Sequence, residues 1–364
     1  MLNRASITAL ILLSGFALVP LVTDTYGTNL VSQILIFSLL AMSIDLLAGF
    51  AGRTSLCHGA LFGTASYVMI YYTTMMSGSL IVGAMLAILA STVLAGVIAS
   101  LAVRTRGAYF LLLTLALGMV VWGLSVRWTT ITGGENGMRG TIRPNWLMSA
   151  DSFYYSILVV FALAGGLLWR ISQSPFGLSL KGIRESETRM QALGYNVPLH
   201  LFIAFVITGA FAGISGVAYA FFNGFVSPTT VSLAQSVQGL LMVIVGGAGT
   251  LLGSILGAVI VIKVEDWVSA VTDRWSLVIG LLFIVTMLVA PEGIHRGHHQ
   301  SGRTIGPQSQ IGLEQDAGLG TAAEPVVEAL RQAGIGLGCR LVGIVVEKDD
   351  VQIRGIAQLL AAEL

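Results

Sequence analysis

Apolar residues come in long runs separated by short polar stretches. Such runs lie near 5–22, 29–50, 58–76, 80–103, 108–126, 153–170, 200–222, 236–262 and 275–290. A helix needs about 20 apolar residues to cross a hydrocarbon core. The pattern therefore predicts an all-α membrane protein, a polytopic bundle of about 8–10 transmembrane helices with short re-entrant or broken segments. The run 236–262 is long for one span and is interrupted by Gly246-Gly247-Ala248-Gly249. It reads as two short or re-entrant segments meeting at the glycines. The run 5–22 follows Arg4 as a signal peptide would, but no small-residue cleavage site follows Pro20-Leu21-Val22. It reads as an uncleaved first helix.

Basic residues orient these spans, because cytoplasmic loops carry the excess of Lys and Arg. Arg4, Arg53, the pair Arg104 and Arg106, and the group Arg170, Lys181, Arg184 and Arg189 all fall in loops on one side. The stretches 23–28, 77–79 and 223–235 hold no Lys or Arg. The loop 127–152 disagrees, with Arg127, Arg139 and Arg143 on the outer side. If 236–262 crosses twice, both chain ends are cytoplasmic, and the basic stretch His295-Arg296-Gly297-His298-His299 falls inside too.

Composition agrees. The chain of 364 residues is 55% hydrophobic and 10% charged, with a mean hydropathy of +0.85, whereas soluble domains are about 25% charged. A net charge of +1 gives no sign of nucleic-acid binding. Cys57 and Cys339 form no CxxC or Cys/His metal pattern, and a disulfide framework is unsupported. The 44 glycines suit close helix packing in a membrane. Residues 1–294 read as a transmembrane domain, 295–324 as a polar linker, and 325–364 as a small extension of unassigned role.

The loop Ser174 to Gly194 carries the clearest local signals. Ser174-Pro175 is a helix start and Gly194 a helix stop. Between them, over about 178–193, an amphipathic helix is expected, with Leu180, Ile183, Met190 and Leu193 on one side and Lys181, Arg184, Glu185 and Arg189 wet. Such a helix either lies on the lipid surface or transmits motion from a soluble partner. Among polar residues at membrane depth, Asp45 either pairs with Arg53, the favoured reading, or faces a watery path. His58 reads first as a hydrogen-bonded packing residue and second as a gate. Ser55, His58, Thr114, Asn223 and Gln238 are the candidates for a translocation path.

The loop is similar to that of the permease subunits of ABC importers for branched-chain amino acids, the LivM family. The resemblance rests on Phe176-Gly177, Gly182-Ile183-Arg184-Glu185-Ser186-Glu187 and Ala192-Leu193-Gly194. It continues through Ala212-Gly213-Ile214-Ser215-Gly216. Further patches, in family order, are Gly49 to Ala60, Arg106 to Phe110, Thr132 to Gly137, Phe225 to Pro228, Val245 to Thr250 and Pro291-Glu292-Gly293. Gly182 and Cys57 depart from the usual Ala and Gly, His200 or Leu201 stands where Lys is expected, and the tail beyond 295 has no counterpart.

The resemblance implies a multi-pass subunit of the bacterial inner (cytoplasmic) membrane. It implies as partners a second, LivH-like permease, two ABC ATPase subunits and a periplasmic substrate-binding protein. No Walker A pattern is present, so no cofactor is expected on this chain and ATP would be hydrolysed by the partners. Phe176, Gly177, Ile183, Arg184, Glu185, Glu187, Leu193 and Gly194 would form the ATPase-coupling loop. Arg184, Glu185 and Glu187 would be its polar contacts, and Ile183 and Leu193 its apolar ones. Urea or short amides are the alternative cargo. A secondary transporter is disfavoured because Asp45 is the only acid inside an expected span, and an embedded enzyme because HExxH and GxSxG are absent.

Overall fold

The computed structural model describes residues 23–140 apart from Ser77, residues 148–270, and the single positions Phe16, Val19, Pro20 and Gly280. The expected spans at 5–22 (those single positions aside) and 275–290, the linker and the extension lie outside the described residues. The chain divides into two units, Met1–Gln300 and Ser301–Leu364, and the description that follows concerns the first.

Thr25–Asp45 forms α1, prolonged by a wider π-helical turn over Leu46–Phe50. After a connecting stretch come α2 (His58–Met75), α3 (Leu80–Ala102) and α4 (Ala108–Arg127). A short helix α5 (Thr129–Thr132) and a two-residue strand β1 (Met138–Arg139) follow. The long helix α6 (Ala150–Gln173) leads into the short helices α7 (Pro175–Glu185) and α8 (Glu187–Ala192). The long α9 (Val197–Asn223), strand β2 (Phe225–Val226), α10 (Pro228–Val231), α11 (Leu233–Gly246) and α12 (Leu251–Ser269) complete the described part. The protein is thus an all-α polytopic membrane protein. Among the described residues five helices are long and apolar enough to span: α1 with its π-helical turn, α3, α4, α6 and α9. The pair α11 and α12 qualifies together and is bent by 115° at the glycines, where the sequence placed the break.

The burial pattern is that of a protein dissolved in lipid. On α3, Ile81, Met85, Leu89, Val93, Val97 and Leu101 are exposed at every fourth position. The opposite face, Gly83, Ala87, Ser91, Ala95 and Ala99, is small and buried. Small residues let helix backbones approach where no hydrophobic drive separates lipid from side chain. That is how α9 docks on α3. A Cβ on Gly209 would lie 2.2 Å from the Ala95 Cβ, and the Ser91 hydroxyl donates to the Gly209 carbonyl at 2.8 Å. Two turns on, Ser66 of α2 donates to the Gly216 carbonyl and Ser215 to that of Ile36 on α1. The Ala212 to Gly216 patch is therefore a seam joining four helices.

α1 is buried along most of its length and forms the centre, with α6, α9, α11 and α12 against it. α2, expected as an ordinary span, is an interior helix and does not reach the apolar length of the other five. Its Ser66 hydroxyl bonds to α9, while Thr64 and Thr73 bond to carbonyls of their own helix. β1 and β2 pair antiparallel, Met138 with Val226 and Arg139 with Phe225. This brings the loops after α4 and α9 to one end of the bundle, as expected from their order.

Candidate functional site

The opposite end is built from the loops that carry the arginines. The expected helix over 178–193 is two helices. Ser174 caps α7 by accepting from the Gly177 N–H at 3.4 Å, and Gly194 ends α8 at φ +88°, as the local signals required. Ser186, however, is extended (φ −161°, ψ 108°) and caps α8 by accepting from the Arg189 N–H at 3.3 Å. A serine inside a helical stretch can compete for backbone donors in this way, and here it splits the helix. Gly182 lies under Met190, whose sulfur would be 2.8 Å from an added Cβ. That contact folds α8 back onto α7.

The side chains sort into two sets. Leu180, Ile183 and Met190 are buried against the bundle, and Gly177 is buried against the end of α6. Phe176 is stacked on His200 with ring centroids 6.0 Å apart. Arg184 donates through Nη1 to the Gly49 carbonyl, and its stem packs on Gly52. Glu187 pairs with Arg53, and also with Arg106 at 3.0 Å. Thus Ile183 is buried and Glu187 is half-buried in an ion pair within the chain, while Arg184 bonds Gly49 and still leaves part of its side chain exposed. Leu178 and Leu193 are more than 60% exposed, and Glu185 and Arg189 are exposed as well. Leu193 therefore leaves the buried side on which helical spacing put it, because the break at Ser186 shifts the phase.

Asp45 Oδ1 accepts the Gly249 N–H at 2.6 Å, joining α1 to the turn between α11 and α12. At the other end of α1, the Tyr26 hydroxyl donates to Asp266. α12 thus runs back alongside α1. It extends past the expected end at 262 and carries Glu265, so Asp45 is not the only acid in the apolar helices. Glu265 accepts from Gln238 Nε2 at 2.7 Å.

Residues 51–57 are non-helical in the main: Gly52 turns the chain at φ +70°, and burial then alternates, with Ala51, Arg53, Ser55 and Cys57 buried. Arg53 donates to the Thr105 carbonyl at 2.9 Å and lies 5.6 Å over the Phe110 ring. Leu56 donates its N–H to Thr114 Oγ1 at 3.2 Å, and a Cβ on Gly118 would lie 3.4 Å from the Cys57 Cα. The segment therefore follows α4 from its start to Gly118, some ten residues or roughly 15 Å at the helical rise. That is about half of a hydrocarbon core of about 30 Å. Non-helical backbone at that depth survives only where protein covers it. The cover is α4 on one side and α11 on another, where Ser236 Oγ accepts the Gly59 N–H at 2.9 Å.

Of the expected path residues, Ser55, Thr114 and His58 gather on this segment. Ser55 Oγ lies 3.2 Å from the Cys57 sulfur. His58 is wholly buried, 5.9 Å from the Phe205 ring, and neither ring nitrogen has a hydrogen-bond partner among the described residues. It is not the hydrogen-bonded packing residue first expected. Asn223 sits apart at the end of α9, and Gln238 belongs to the α11–α12 pair. Among the described residues no group of three His, Cys, Asp or Glu side chains could hold a metal ion.

The chain is 24% identical over 302 residues to the high-affinity branched-chain amino acid transport system permease protein LivM of Salmonella typhimurium, covering 76% of this chain and 71% of that protein. It is 24% identical over 306 residues to the LivM of Escherichia coli, with the same coverage. A shorter similarity, 26% over 142 residues, links it to the autoinducer 2 import system permease protein LsrC of Photorhabdus laumondii, over 37% of this chain and 41% of that one. No solved structure matches. The profile of the branched-chain amino acid transport system permease component matches residues 27–287, and the chain belongs to that family.

Proposed function

We propose that this chain is a permease subunit of an ABC importer that carries branched-chain or similar apolar amino acids across the bacterial inner membrane. The observation that carries the reading is the family match over residues 27–287, which takes in both the α7–α8 loop and the segment 51–57. The lipid-facing stripes of α3 and the interior polar seams support a helix bundle embedded in lipid. A second, LivH-like permease, two ATPase subunits and a periplasmic binding protein complete the assembly in this reading. ATP is hydrolysed on the partners.

The α7–α8 loop is the coupling element. Its outward set, Leu178, Glu185, Arg189 and Leu193, meets the ATPase. Its inward set, Arg184 and Glu187, passes the movement on. Alternating access follows as a switch between two packings of the bundle. Labelled-leucine uptake tests the reading. A deletion strain should lose uptake and regain it on complementation. Unchanged leucine uptake with lost urea uptake would move the chain to the urea and short-amide branch.

A further inference from the structure

We propose that the connecting segment 51–57 is the gate of the translocation path, and that the Glu187–Arg53 ion pair is the latch by which the cytoplasmic loop works it. The inference deepens the importer reading and rests on it for the direction of the motion.

Three observations converge. First, the latch is the ion pair between the segment and the loop. Arg53 is buried near the start of the segment, beside the contact of the Arg184 stem with Gly52, and Glu187 opens α8, one residue beyond the break at Ser186. A shift of α8 relative to α7 therefore reaches Arg53 directly. Arg106, 64% exposed, shares the same carboxylate and gives Glu187 a second partner when Arg53 moves.

Second, beyond Arg53 the segment is held at few points. It makes one hydrogen bond from its backbone to α4, Leu56 N–H to Thr114, and rests on Gly118, which has no side chain to hook it. The helical ladders on both sides are far more densely bonded. The π-helical turn at Leu46–Phe50 fixes the α1 side, so the segment moves from a held base, and such turns frequently sit at functional sites.

Third, the segment ends on an unsatisfied group. A buried polar side chain without a partner is uncommon and calls for an explanation. His58 stands at the start of α2, its ring nitrogens unpaired in this arrangement. An open arrangement, in which Leu56, Cys57 and His58 draw away from α4, brings water or a polar cargo to the imidazole. The closed state is thereby kept from being over-stable.

Cys57 reports on this directly, because it lies on the segment and is fully buried. In a Cys339→Ser background it is the sole cysteine of the chain. The assembled transporter, with ATPases and binding protein, is treated in membranes with N-ethylmaleimide, and modification of Cys57 is followed by mass spectrometry. At rest Cys57 should be protected, and ATP turnover should raise its labelling rate by about tenfold or more, since an opening equilibrium sets the rate. Glu187→Gln should label at rest nearly as fast as the wild-type chain in turnover, with the ATPases still bound. Glu187→Asp, which keeps the carboxylate, should restore most of the protection. Equal resting rates in Glu187→Gln and wild type overturn the latch. Equal rates with and without turnover in the wild-type chain overturn the gate, and need no substitution at the pair. Loss of leucine uptake by the wild-type chain, with the labelling pattern intact, would instead count against the cargo alone.

Discussion

The Asp45 carboxylate holds the backbone of Gly249: Oδ1 accepts its N–H at 2.6 Å across 204 positions of sequence. Arg184 reaches the same place by donating to the Gly49 carbonyl. The end of α1, the turn between α11 and α12, and the α7–α8 loop therefore meet at one point. No side chain could intervene there. A Cβ on Gly49 would lie 2.0 Å from Asp45 Oδ1 and 2.1 Å from the Gly249 nitrogen.

Substitutions at this point should separate hydrogen bonding from space. Asp45→Asn keeps an acceptor for Gly249 and should fold at normal abundance. Asp45→Ala leaves a buried N–H unsatisfied, which costs about 1–3 kcal/mol. Gly49→Ala should be worse than Asp45→Asn, because the nearest obstacle besides Asp45 is backbone that cannot rotate away. Thermal unfolding of the detergent-solubilised chain orders the three. Equal midpoints for Gly49→Ala and wild type would show that the two backbones are not in contact.

The loop variants should fall into two phenotypes. Glu185→Lys and Arg189→Glu alter exposed charges and should weaken recovery of the ATPases in pull-down. Arg184→Lys removes the forked reach to Gly49, and should leave the ATPases attached while uptake falls. If Arg184→Lys loses the ATPases as readily as Arg189→Glu does, Arg184 faces the partner after all.

The two faces of α3 offer a contrast only two residues apart. Ser91→Leu puts a large side chain where Ser91 meets Gly209 and Gly213. Overpacking of that kind costs about 1–3 kcal/mol, and membrane abundance should drop. Val93→Leu lies on the exposed stripe and should be silent. Immunoblots of membrane fractions decide it, and a silent Ser91→Leu would contradict the tight seam.

Glu265 invites the ion-coupled alternative, since it is an acid in an apolar helix. Gln238 donates to it, and a neutral amide oxygen at position 265 can accept the same bond. Glu265→Gln should therefore preserve uptake, and a protonophore should not stop uptake in vesicles supplied with ATP. Uptake that fails in Glu265→Gln and collapses with the proton gradient would favour a secondary transporter.

Much of the fold was legible because its signals are local. Long apolar runs located α1, α3, α4, α6 and α9. Ser174-Pro175 and Gly194 bounded the loop, and the glycines after Val245 marked the bend. What escaped were relations between distant positions. Asp45 finds Gly249, and Arg53 finds Glu187 134 residues away. Only the shared side of the arginine loops hinted at the second pairing. Hydropathy also cannot tell lipid from protein interior, so α2 looked like any other span. The segment 51–57 looked like a surface loop because short polar stretches between spans normally are.

The interior position of α2 also bears on how the chain is made. Its two interhelical hydrogen bonds wait for later arrivals: Ser66 needs the Gly216 carbonyl, 150 residues on, and Gly59 needs Ser236, 177 residues on. At a synthesis rate of roughly 5–20 residues per second, that is about ten seconds or more after α2 leaves the ribosome. Until then the Ser66 hydroxyl and the Gly59 N–H lack the partners they have in the finished bundle. The interior of the first half of the chain is thus completed only by helices made late, α9 and α11.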